Sequence, residues 1–171
     1  LNRFVGQKLA IVSDKPQTTR HRIVGVRNAP GSQIVFIDTP GIHKPLHRMN
    51  QRMVDIAIAS MKEVDVAVLV VDATIKPGGG DAFVLDLLKR ANVPTVLALN
   101  KVDAIHKPRL LPLMQHYANA LPWKAIVPVS AKTGEGHETL EQEILAALPE
   151  GEALYPAEYL TDQTQRGMAA E

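Results

Sequence analysis

Two short strings hold the side chains best suited to chemistry. Asn100-Lys101-Val102-Asp103 closes an apolar run over residues 94–99, and Ser130-Ala131-Lys132 closes a second over residues 125–129. A carboxylate such as Asp103 can accept two hydrogen bonds at once, from N1–H and from the 2-amino group of guanine. Adenine presents an acceptor at the first position and no 2-amino donor at the second. Each charge-assisted bond contributes about 1.5–3 kcal/mol, so the pair separates the two bases by orders of magnitude. In this pattern Asn100 ties the two loops together and reaches N7. The Lys101 stem lies along one face of the base, the Ala131 N–H faces O6, and Lys132 completes the second string. Taken together the strings read as the guanine-recognising edge of a GTP-binding domain. Ser130 or Thr133 could instead do no more than cap the helix that follows.

A third string, Asp38-Thr39-Pro40-Gly41, follows directly on a β-branched run. A carboxylate there can hold a water bound to Mg²⁺, and the Gly41 N–H can approach a γ-phosphate where a side chain would not fit. In isolation the same residues make an ordinary Asp-initiated turn. Gln17-Thr18-Thr19-Arg20-His21-Arg22 lies in the polar stretch before this. A Thr hydroxyl is what a nucleotide switch uses to reach Mg²⁺ when a γ-phosphate is present, and either Thr18 or Thr19 could serve. A Thr-rich basic surface loop is the alternative. His43 and His47 are four apart, but Pro45 between them forbids the regular helix that would align them on a metal. Gly78-Gly79-Gly80 lacks the Lys-Ser/Thr of a phosphate loop and reads as a turn. No G-x-x-x-x-G-K-[ST] occurs between Leu1 and Glu171.

The elements that must position these groups can be traced from periodicity. Residues 1–5 read as the last turns of a helix stopped by Gly6, and residues 8–12 as a short strand. Residues 22–27 and 33–38 are two strands joined by a hairpin-like connection. A helix is expected over 49–64, then a fully buried parallel strand over 65–72, then a turn and a helix capped by Asp81. A buried strand over 93–99, a helix over 110–120, a strand over 125–129 and a helix over 137–148 complete the alternation. Trp123 is expected to pack at a strand entrance. Strands alternating with helices imply an α/β fold with a mostly parallel sheet, helices on both faces and one antiparallel hairpin. In such sheets ligands bind beyond the carboxyl ends of the strands, where Asp38, Asp72, Asn100 and Ser130 all fall.

The whole chain sets bounds on this reading. With 46% hydrophobic and 22% charged residues it has the composition of one globular domain. A net charge of +1 neither selects nor excludes a nucleic-acid partner. The lack of cysteine removes disulfides, thiol nucleophiles and cysteine metal sites. No stretch reads as a signal peptide or approaches the length of a membrane span, so a cytoplasmic location is expected. The ends do not look like natural termini, and the chain is expected to be an excerpt of a longer protein.

Thr18-Thr19-Arg20-His21-Arg22, Asp38-Thr39-Pro40-Gly41-Ile42-His43-Lys44, residues 100–103 and residues 130–134 resemble, in order, the second to fifth motifs of the Era family of bacterial ribosome-assembly GTPases. The tail, with Tyr155-Pro156-Ala157-Glu158-Tyr159-Leu160-Thr161-Asp162, is similar to that family's connector toward a C-terminal RNA-binding KH domain. The resemblance implies a P-loop GTPase fold, with residues 1–150 as a G domain lacking its N-terminal strand and phosphate loop. Residues 151–171 would be the connector toward an absent KH domain. It implies GTP hydrolysis with GTP/GDP and Mg²⁺ as ligands. Mg²⁺ and γ-phosphate sensing would fall to Thr18, Thr19, Asp38 and Gly41, and guanine recognition to Asn100, Lys101, Asp103, Ser130, Ala131 and Lys132. Ile42 stands where Ras-like GTPases carry a water-positioning Gln. A hydrocarbon cannot orient water, so hydrolysis is expected to be slow. The implied partners are the small ribosomal subunit and its 16S rRNA, with a peripheral contact at the inner membrane. The alternatives are a catalytically inactive G-domain scaffold or binding module, and a tandem-domain or tRNA-modifying GTPase of the same superclass.

Overall fold

A computed structural model describes residues 1–10, 22–42 and 48–161, with residues 48–53 given by backbone alone. The chain divides into two compact units, Leu1–Ser60 with Glu150–Glu171, and Met61–Pro149.

In the first unit, α1 (Asn2–Val5) ends at Gly6, whose φ of 76° is the left-handed cap expected there. β1 (Ile23–Ala29) and β2 (Ser32–Asp38) form an antiparallel hairpin in register from Ile23 opposite Asp38 to Ala29 opposite Ser32. α2 (Arg48–Met61) follows. Val5, Leu9 and Ile23 make a small core, joined by Leu1, Ala10 and Leu160. Phe4 stacks on Phe36 with ring centroids 5.0 Å apart.

Residues 8–10 are not strand, although their pattern predicts one. The Asn2 amide explains this: its Oδ1 accepts from Leu9 N (2.8 Å) and Ala10 N (2.7 Å), and its Nδ2 donates to Ala10 O (2.7 Å). A side chain has taken the backbone groups that a neighbouring strand would otherwise pair. Residues 11 and 12 of that expected strand lie outside the described residues, as do Thr18, Thr19, His43 and His47.

The segment after residue 150 is tied to the hairpin by named bonds. Gln33 Oε1 accepts from Leu154 N (2.9 Å) and Tyr155 N (3.0 Å), while its Nε2 donates to Tyr155 O (2.9 Å) and Asn28 Oδ1 (2.7 Å). Asn28 Nδ2 donates to Ala157 O (2.8 Å). Val26 N donates to Leu160 O (2.8 Å), and Thr161 Oγ1 to Val24 O (2.7 Å), so Gly25 and Thr161 form an antiparallel bridge. Tyr155 and Tyr159 stack at 4.6 Å. Replacing Gln33 by Ala removes the hub of this strap. The expected result is a loss of roughly 1–3 kcal/mol and faster amide hydrogen exchange over residues 154–161. Unchanged protection across those amides would show that the backbone bridge alone holds the segment.

In the second unit, β3 (Ala67–Asp72), β4 (Thr95–Asn100) and β5 (Ala125–Pro128) form a parallel sheet in that order. β4 is the central strand, buried from Thr95 through Leu99. On one face Leu97, Leu99 and Tyr117 pack with Leu69, Val71, Leu85, Leu113, Trp123 and Ile126. Of these, Leu85 comes from α3 (Gly79–Ala91), and Leu113 and Tyr117 come from α4 (Leu110–Ala118). Alternation sends Val96 and Ala98 to the other face, and α5 (His137–Ala147), which packs on β4 and β5, buries Leu140 and Ile144. Each such aliphatic side chain contributes about 1.5–3 kcal/mol by leaving water.

Two expectations need correction. β3 is not fully buried: it pairs on one side only among the described residues, and Val70 is 60% exposed. A continuous apolar run marks a strand's type but not its place in the sheet. Asp81 does not occupy the cap position of α3, which belongs to Gly78, so Gly79 and Gly80 open the helix and are not turn; Asp81 acts from the first turn, its Oδ2 accepting Gly78 N–H at 2.7 Å. Its Oδ1 accepts from the hydroxyl of buried Tyr117 (3.2 Å), and burial together with this carboxylate pushes the phenol pKa up. Trp123 packs as expected, with Nε1 donating to Tyr117 O at 2.7 Å. No described helix is long and apolar enough to cross a membrane.

Candidate functional site

The parallel register sets Asp72 beside Asn100 and Leu99 beside Pro128, so the carboxyl ends of three strands fall in one row. Backbone bonds continue past the strands. Ala73 N donates to Asn100 O (2.9 Å), Val129 N to Leu99 O (2.8 Å) and Val102 N to Val129 O (3.2 Å). The two loops that carry the polar strings are therefore stitched together before any side chain acts.

The side chains add a second set of ties. Asn100 Oδ1 accepts from Ala131 N at 2.9 Å. This engages the N–H expected to face O6 and leaves the Asn100 amide group as a donor. Asp103 sits in a 3-10 turn over Val102–Ala104, exposed, with Oδ1 accepting from Ser130 Oγ at 2.6 Å. Asp103 Oδ2 has no protein donor among the described residues, so it remains an acceptor for a ligand. Ser130 is completely buried, and its Oγ also accepts from Thr133 N at 3.1 Å. α5 is capped by Gly136 with no side-chain bond, so neither Ser130 nor Thr133 serves as a helix cap. That removes the simplest structural account of the second string. Ala131 and Lys132 are exposed on the same loop.

Lys101 adopts φ 66°, a left-handed conformation uncommon outside glycine, and its Nζ pairs with Asp72 Oδ2 at 2.7 Å. Asp72 Oδ1 accepts from Thr74 N (2.9 Å) and Thr74 Oγ1 (2.6 Å). Burial opposes ionisation of Asp72, but the bonds from Lys101 and Thr74 and the Lys101 charge outweigh it and hold its pKa below the ordinary carboxylate value. The sign follows: the pair contributes at neutral pH and is lost only as pH falls through that lowered value. Asp72 was visible in the sequence as a strand-end carboxylate. Its pairing with Lys101 was not, because it depends on the register of two parallel strands.

In the other unit, Asp38 is the last residue of β2; Pro40 is buried, Gly41 exposed and Ile42 partly buried. Asp38 thus stands at the end of a strand, as its place after a β-branched run led one to expect. Among the described residues no cluster of three or more His, Cys, Asp or Glu could hold a metal.

Comparison with known proteins places this geometry. The model of the 50S ribosome-binding GTPase family matches residues 1–101, more than half of the chain. GTPase Era of Geotalea uraniireducens is 46% identical over all 171 residues, which is 58% of its own length. GTPase Era of Geotalea daltonii is 47% identical with the same coverage. The chain thus spans somewhat over half the length of these curated relatives. Among solved structures, Era in complex with MgGDPNP and nucleotides 1506–1542 of 16S ribosomal RNA matches 99% of this chain and 58% of its own, with a TM-score of 0.92 and 38% identity. A variant of Aquifex aeolicus Era bound to GDP·AlF4⁻ matches 96% of this chain and 57% of its own, with a TM-score of 0.89 and 37% identity. With this family match and this likeness to both Era structures, the chain has the P-loop GTPase fold and belongs to the 50S ribosome-binding GTPase family.

Proposed function

We propose that this chain is the guanine-nucleotide domain of an Era-like GTPase that binds GTP and GDP and hydrolyses GTP in the service of small-subunit assembly. The observation that carries the reading is the pair of stitched loops in which buried Ser130 holds Asp103 and Asn100 holds Ala131. The buried Ser130 hydroxyl accepts from Thr133 N and donates to Asp103, so the same group that ties its own loop also fixes the direction of an exposed carboxylate on the other.

Asn100, Lys101, Asp103, Ser130, Ala131 and Lys132 form the base subsite in this reading. Asp38, Gly41 and one of Thr18 and Thr19 serve Mg²⁺ and the γ-phosphate. The Asp38 carboxylate and the Thr hydroxyl are oxygen ligands, suited to a hard cation that would offset charge on the phosphate oxygens, while the Gly41 N–H would meet the γ-phosphate. Ile42 cannot orient water, which makes hydrolysis slow unless another residue, the backbone or a partner places it. The Era structures named above support the choice of ligands, and the one with a 16S rRNA fragment supports RNA as partner. Residues 1–150 are the G domain, and residues 151–171 lead toward a KH domain that makes the RNA contacts. The protein works in the cytoplasm on the small subunit, with a peripheral contact at the inner membrane.

The test is nucleotide competition and single-turnover hydrolysis with the intact gene product. GDP and GTP should displace a fluorescent guanine nucleotide while ATP does not, and GTP should be cleaved in the presence of Mg²⁺. Equal displacement by ATP would sink the proposal. Ser130→Ala adds a sharper expectation. It leaves Asp103 without its donor and Thr133 N–H without its acceptor, so GDP affinity should drop roughly tenfold, the equivalent of one hydrogen bond. An unchanged affinity would show that Asp103 is positioned without help.

A further inference from the structure

Lys101 carries a feature that base recognition alone leaves unexplained: its charged end is already spoken for. Its Nζ lies 2.7 Å from Asp72 Oδ2, and Asp72 is itself fixed by two bonds from Thr74 to its other oxygen. The Lys101 side chain is 57% exposed and that of Asp72 only 23%, so the acid is the better-held partner. The backbone is arranged to the same end. Ala73 N donates to Asn100 O, locking the turn after β3 to the last residue of β4, and Lys101 takes its left-handed φ immediately afterwards. A lysine stem has four rotatable bonds, and an exposed one samples many rotamers. Here the stem is held at both ends, by the left-handed backbone and by the carboxylate.

We propose that Asp72 is a positioning residue for base recognition: it holds the Lys101 stem across the carboxyl ends of β3 and β4, so that the stem is in place to cover one face of the guanine before the nucleotide arrives. The inference rests on the base-recognition reading above and adds a residue to it. Asp72 touches no base in this account; it acts through Lys101. Thr74 acts one step further out, turning the carboxylate so that Oδ2 faces the ammonium. The gain is preorganisation, because ordering the stem is done on folding and not on binding.

A double-mutant cycle in the intact gene product tests this, with GDP as the probe and affinity and dissociation rate as readouts. D72N should weaken GDP about tenfold, chiefly by faster dissociation, and K101M should weaken it at least as much. In the K101M background D72N should change GDP affinity by less than about twofold, because the group it acts through is gone. D72E, which restores the charge, should recover most of the loss. If the effects of D72N and K101M multiply independently, Asp72 supports the fold and not the lysine, and the proposal is overturned. D103N run in parallel separates the two layers. If D103N weakens GDP and D72N does not, base recognition stands and the role of Asp72 falls. If D103N leaves GDP untouched, both fall.

Discussion

Replacing Asp103 by Asn in the intact gene product should weaken GDP binding by roughly two to three orders of magnitude and improve binding of xanthosine diphosphate. The carboxylate accepts from N1–H and the 2-amino group of guanine. An amide presents one acceptor and one donor, so one favourable bond becomes a donor facing a donor. Xanthine carries a carbonyl at that position and accepts what the new amide gives. The structure makes this substitution unusually clean. Ser130 Oγ donates to Asp103 Oδ1 at 2.6 Å, and an Asn oxygen in the same place can still accept it. The loop should therefore keep its shape while the ligand-facing edge changes sign. Ser130→Ala does the reverse, keeping the carboxylate and loosening its mount. A competition titration with both diphosphates decides the matter. If GDP affinity is unchanged, Asp103 does not read the base.

Much of this site was legible because its residues sit where apolar runs stop. Asn100 ends β4, and Ser130 follows β5 by two residues, so the strand–loop boundary could be read from hydrophobic pattern alone. The hairpin was legible for a similar reason, with Pro30 and Gly31 between two β-branched runs. What was hidden depends on pairing between distant segments. Nothing local says that Lys101 meets Asp72, that Ser130 is completely buried, or that Gln33 gathers the tail of the chain. Each follows from register or topology. The mistaken strand over residues 8–10 has another origin. Its pattern is strand-like, but Asn2 supplies the hydrogen bonds that a strand neighbour would have supplied, and composition cannot show which partner wins. β3 misled because an apolar run looks alike whether a strand pairs on both sides or, as β3 does among the described residues, on one.

The second large effect concerns a residue with no functional group. Gly136→Ala should lower the stability of the domain by about 3 kcal/mol, shifting its thermal transition down by roughly 6–12 °C. Gly136 has φ +74°, and a Cβ built there overlaps the Pro128 carbonyl oxygen at the end of β5. The clash is with backbone, so no rotamer change relieves it. Gly31 supplies the control, with φ +72° and nothing within 4 Å of the added atom. Gly31→Ala therefore reports the strain of the left-handed conformation alone, about 1–2 kcal/mol. The excess at Gly136 measures the overlap. It should also be felt in binding, because Gly136 closes the loop in which Gly134 N donates to Ser130 O and Ser130 N donates to Glu135 O. Moving the end of β5 to admit a methyl group shifts Ser130, and with it the mount of Asp103. Gly136→Ala is thus expected to lower GDP affinity as well as stability, whereas Gly31→Ala lowers stability alone. Equal losses of stability in the two variants would mean that the loop after β5 can yield without disturbing the strand, and the coupling between that turn and the base edge would be lost with it.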